Sequence, residues 1–216
     1  MDIRKDKRGF SLIELIITMA IMAVFAGAII GGMSYINAGK TKKAAARLNN
    51  KISSIQTATM TKKGQTFLYI YRTSDGVYST VVSSKIDTNG DGNPDYPKGF
   101  TQRSELDQCL SSGKVSGDKL CDSTVTITGK QGSGGSNSVT LSESNFLKLA
   151  YSKSTGAFNY SNDGSLDTNG EFTDVPFYSM IEMSGKEKFS IKLVKISGKH
   201  FCKERLRGGD CSELER

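Results

Sequence analysis

From Leu15 to Asn37 the chain runs without a charged residue. That is about 23 residues, or roughly 34 Å as a helix at 1.5 Å per residue, enough to cross a hydrocarbon core of roughly 30 Å. Ahead of the run, Arg4, Lys5, Lys7 and Arg8 outnumber Asp2 and Asp6. A basic flank of this kind stays on the cytoplasmic side, so the remainder of the chain is expected to be translocated.

An ordinary secretory signal has its small-residue cleavage site after the apolar stretch. Here Ala26-Gly27-Ala28 lies inside the run, and the break in character falls before it, at Gly9-Phe10. Glu14 stands at the edge of the apolar segment with no basic neighbour. An unpaired carboxylate at such a place costs on the order of 2.5–3.5 kcal/mol on insertion scales and calls for a function.

The segment Gly9-Phe10-Ser11-Leu12-Ile13-Glu14-Leu15 resembles the class III signal of type IV prepilins and of type II secretion pseudopilins. The resemblance implies that prepilin peptidase removes residues 1–9 by cutting after Gly9 and methylates the new amino terminus at Phe10. Glu14 then becomes the fifth residue of the mature chain, placed to meet the terminal amine of a neighbouring copy during assembly. Pairing two charges in an apolar setting removes the cost of leaving either alone, so it fixes register more than it adds affinity. Also implied are an α+β pilin fold, with a long N-terminal helix packed on an antiparallel β-sheet, and a structural rather than enzymatic role. The partners implied are further copies, other pilins, prepilin peptidase, an assembly platform protein and an assembly ATPase. The chain would be a single-pass membrane protein before assembly and part of an extracellular pilus or pseudopilus afterwards. One departure is Gly31-Gly32, where many relatives carry Pro. The pair would serve either as an extensible stretch or as a close-packing surface.

The helix is expected to occupy residues 10–63, membrane-spanning to about 38 and amphipathic beyond. Ala45, Leu48, Ile52, Ile55 and Ala58 form an apolar stripe at three- and four-residue spacing. Lys40, Lys42, Lys43, Arg47 and Lys51 read as a solvated face near lipid headgroups. Residues 64–216 form the globular part, and the 23 glycines of the chain favour short strands and tight turns there. Strand pairs are predicted at Phe67–Arg72 with Val77–Val82, and at Val125–Thr128 with Val139–Leu141. Two more are predicted at Phe146–Tyr151 with Ala157–Tyr160, and at Phe177–Met183 with Phe189–Ile196.

Asp87, Asn89, Asp91, Asn93 and Asp95 alternate along one loop, with Gly92 at its sixth position. Oxygen ligands at this spacing wrap a hard cation, and the loop resembles EF-hand and thrombospondin-type calcium loops. It departs from an EF-hand at the twelfth position, where Lys98 replaces the bidentate Glu. A second stretch, with Asp163, Ser165, Asp167, Asn169, Glu171 and Asp174, is similar but lacks the Gly. Structural calcium is the expected cofactor.

Four cysteines allow three pairings; proximity favours Cys109–Cys121 and Cys202–Cys211, two local staples expected if the domain is exported. Each would add about 2–3 kcal/mol on the chain-entropy model. His200 is the single histidine, and no nucleophile motif, phosphate loop or metal-hydrolase signature accompanies it. Lys199, Lys203, Arg205 and Arg207 make a basic patch through which nucleic acid could be captured.

Overall fold

The computed structural model describes residues 11–61, 65–131, 137–153, 155–158, 178–194 and 197–205. Side chains of 29–38 and of 204–205 lie outside that description. Helix α1 (Leu12–Thr61) has 50 residues. The chain divides into two compact units between Asn37 and Ala38, so this helix contributes to both.

In the first unit every described side chain from residue 11 to 28 is exposed. In the second, α1 buries Thr41, Ala44, Ala45, Leu48, Ile52, Ile55 and Thr59. The steps are of three and four residues, the stripe expected of a helix laid on a sheet. The buried line ends on Thr59, while Ala58 is half-buried beside it.

Among the described residues nine strands follow. They are β1 (Thr66–Thr73), β2 (Gly76–Ser83), β3 (Asp118–Asp122), β4 (Thr126–Gln131) and β5 (Asn137–Thr140), then β6 (Phe146–Ala150), β7 (Tyr178–Ser184), β8 (Lys188–Leu193) and β9 (His200–Arg205). They form two antiparallel sheets, ordered β3-β2-β1-β6 and β5-β4-β7-β8-β9. A second helix, α2 (Arg103–Ser111), stands between β2 and β3 in sequence. The architecture is α+β, as the N-terminal resemblance implied.

β1 shows how one strand builds two cores. Leu68 and Ile70 point to one face and join the α1 stripe, together with Val77, Leu147, Leu149 and Ile127. Phe67, Tyr69 and Tyr71 point to the other and pack under α2 with Phe100, Leu106 and Cys109. Successive strand residues alternate faces, so the FLYIY run is buried on both sides. Gly99, at φ +72°, brings the loop before α2 onto this second core; a Cβ there would strike the Tyr69 hydroxyl.

Three elements were not foreseen. α2 opens at Gln102, and its capping carboxylate comes from Glu105, which accepts the Thr101 and Gln102 amides at 2.7 and 3.0 Å. β3 is short and charged, and it is held by β2. β9 closes the second sheet against β8. Conversely, the strand expected at Ala157–Tyr160 reduces to one bridge, Tyr151 to Phe158. Residues 159–160 lie outside the described residues, as do 62–63 at the expected end of the helix.

Candidate functional site

Ser11 begins the described part of the N-terminal signal. Its carbonyl accepts the amides of Glu14 and Leu15 at 3.0 and 3.2 Å, starting α1 within two residues of the expected cut. Gly9 and Phe10 themselves lie outside the described residues. Glu14 occupies the first turn of α1 and is exposed, where a carboxylate complements the helix dipole. Around it stand Leu12, Ile13, Leu15, Ile16 and Ile17, all about half to three-quarters exposed, and the apolar surface continues through Met22, Val24 and Phe25. Among the described residues no helix is long and apolar enough to cross a membrane. The rest of the uncharged run, 29–38, falls among the undescribed side chains, Gly31 and Gly32 included.

Immediately beyond, the basic residues divide into two groups. Lys40 pairs with Asp122 at 3.0 Å, Lys51 pairs with Asp118, and Arg47 donates to the Lys119 and Leu120 carbonyls at 3.1 and 3.2 Å. These three side chains clasp β3. Lys42 and Lys43 are exposed and take no part in this clasp. The cluster is thus chiefly a fastening between the helix and the first sheet, not the free headgroup-facing surface expected. Lys119 extends it by bonding Asp75 at 3.1 Å, and hydrogen bonds from the Thr73 and Tyr78 hydroxyls, then from the Lys119 ammonium, hold the Asp75 carboxyl below the usual carboxylate range.

The loop from Asp87 to Asp95 turns its oxygens inward. Asp87 accepts the amides of Gly90 and Gly92 at 2.6 and 2.8 Å, and Asp95 accepts the Thr88 amide at 2.6 Å. Asn89 and Asp91 accept the amides two residues ahead, at 2.9 and 2.7 Å. These are Asx turns, which close such a loop without an ion. No group of three or more His, Cys, Asp or Glu side chains converges to hold a metal among the described residues. The second expected loop, Asp163 to Asp174, lies outside the described residues.

The Cys109–Cys121 staple is not formed. Both thiols are free and buried, Cys109 in the core under α2 and Cys121 in the core under α1. They sit on opposite faces of one sheet, and sequence proximity could not reveal that. Burial pushes the Cys121 thiol up to about 11, which keeps it protonated at neutral pH. Cys202 is exposed and unbridged on β9, and Cys211 lies outside the described residues.

Two groups escaped sequence reasoning. Lys148 is 1 % exposed; its ammonium donates to the Lys98 carbonyl at 2.7 Å and sits 4.7 Å from the Phe67 ring centre. It ties the loop before α2 to the sheet, and a lone Lys in an apolar strand was its only signal. His200 lies at the seam between β9 and α1, its Nε2 2.9 Å from Ser53 Oγ. Its Nδ1 is buried with no hydrogen-bond partner, and burial lowers its pKa.

Residues 4–30 match the family model of the prokaryotic N-terminal methylation motif. This is the class III signal peptide of type IV pilins and pseudopilins, here followed by a long helix and antiparallel sheets consistent with the pilin fold. No curated protein and no solved structure matches the chain.

Proposed function

We propose that the chain is a structural subunit of a type IV pilus, cut after Gly9, N-methylated on Phe10 and polymerised through α1. The observation that carries this is the continuous apolar surface around Glu14, exposed on every described side from Leu12 to Phe25. Such a surface must be covered, first by lipid and then by the helices of other copies. Glu14 is the one charge in it, and a neighbour's terminal amine is the partner that relieves its cost. The segment to about residue 38 holds the chain in the membrane until the assembly platform and ATPase extract it. Replacing Glu14 by Leu tests this. Cleaved, methylated subunit should accumulate in the membrane with surface filaments lost, whereas filaments of normal abundance would remove the reading.

A secretion pseudopilus subunit is the second reading, favoured if the Asp87–Asp95 loop takes calcium. The ion would then be structural, held by Asp87, Asn89, Asp91, Asn93 and Asp95. Calcium titrated into the full chain in neutral detergent should raise Tm if the loop binds it, and an unchanged Tm would remove the ion.

A further inference from the structure

β9 begins at His200, the single histidine of the chain, and forms one edge of the second sheet. His200 lies across from Leu193, a core residue, so its ring is on the side where α1 packs. There Nε2 meets Ser53 Oγ at 2.9 Å, while Nδ1 is buried without a hydrogen-bond partner. The turn leading into β9 is seated on the same region. Tyr151 donates its hydroxyl to the Gly198 carbonyl at 3.3 Å, and Gln56 of α1 donates to the Gly156 carbonyl at 3.0 Å. Among the described residues no charged group faces the ring. α1 presents Asn49, Ser53 and Gln56, while its Arg47 and Lys51 are turned to β3. Lys153 and Lys199, the cations of the neighbouring turns, are exposed. The two titratable neighbours, Tyr151 and Cys202, have their pKa values raised by burial and stay neutral in mild acid.

We infer that the seam between His200 and Ser53 is an acid-sensitive latch, in which protonation of the ring frees β9 from α1. The imidazolium carries a second N–H, and the buried Nδ1 has no acceptor in hydrogen-bond geometry. A partly buried charge without a counter-ion is costly, whereas in the opened strand water solvates the ring fully. The nearby carbonyls of Gly198 and Asn49 favour the charged ring less than burial disfavours it. The folded pKa therefore lies below the ordinary histidine value of about 6.5. The latch holds above that value and weakens as pH falls through the window toward the lower folded pKa. Its opening is local. β9 pairs with β8 alone, so release uncovers the edge of β8 and the face of α1 at Asn49 and Ser53, and leaves the first sheet intact. The latch belongs to the globular unit and stands independently of the filament reading.

The test is hydrogen exchange of the full chain in uncharged detergent micelles, read by mass spectrometry at pH 7 and pH 5. Labelling times are scaled to the intrinsic amide rate at each pH, so that only changes in opening remain. Peptides covering 197–205 should lose protection at least about threefold at pH 5, while those of β1 and β2 keep theirs. His200→Gln should abolish the difference between the two pH values. Ser53→Asp sets a carboxylate beside the ring and should leave β9 at least as protected at pH 5 as at pH 7. Equal protection of β9 at both pH values in the native chain would overturn the latch. The same acid loss in either variant would overturn it as well.

Discussion

Ile17 and Ile52 lie on one helix and carry the same side chain, yet they should respond oppositely to truncation. Ile52 is 0 % exposed and packs among Leu48, Ile55 and the strands of both sheets. Ile52→Ala removes a fully buried branched chain and leaves a cavity, at a cost of about 2–5 kcal/mol. Against a total stability of about 5–15 kcal/mol this is a large fraction. For a unit of this size it corresponds to a fall in Tm of about 4–20 °C. Ile17 is 52 % exposed and meets no core of its own chain. Ile17→Ala should leave the Tm of the globular unit within about 1–2 °C, since exposed positions rarely change stability by more than about 0.5 kcal/mol. Its effect should appear in filament yield instead. Thermal unfolding followed by circular dichroism in neutral detergent, beside sheared-filament yield, separates the two. Equal shifts in Tm would refute this division of α1 into an assembly half and a core half.

Tyr69→Phe deletes the hydroxyl that accepts the Phe100 amide at 2.7 Å in the buried core under α2. Leaving that amide unsatisfied should cost about 1–3 kcal/mol, read as a lowered urea midpoint. His200 has its folded pKa depressed by burial, so the unfolded chain takes the proton first as pH falls below about 6.5. Stability contributed by the neutral ring is present above that value and is lost as pH drops through the window toward the lower folded pKa. The Tm of the native chain should therefore fall more between pH 7 and pH 5 than that of His200→Gln, and parallel profiles would argue against the buried seam. Cys109 and Cys121 should alkylate as thiols after unfolding without reductant, and mass mapping of a Cys109–Cys121 peptide would contradict their separation across the sheet.

Local patterns carried most of what could be read in advance. The α1 stripe, the β1–β2 hairpin and the β7–β8 pair follow from periodicity and from turn residues within a few positions of each other. Pairings that depend on distant partners did not. β3 has too many charges to look like a strand, and it exists because β2 offers an edge and Lys40, Arg47 and Lys51 neutralise its face. β9 read as a basic tail until β8 gave it a register. Cys109 and Cys121 are close in sequence and divided by a sheet, a relation only tertiary structure supplies. The signal from Gly9 to Glu14 was legible for the opposite reason, because it is a linear motif and a charge at the edge of an uncharged run is conspicuous.

Mass spectrometry of sheared surface filaments tests the filament role most directly. The expected result is abundant mature chain beginning at N-methylated Phe10, with residues 1–9 absent and Glu14 five residues from the methylated end. Chain found solely in the membrane with residues 1–9 still attached would contradict it.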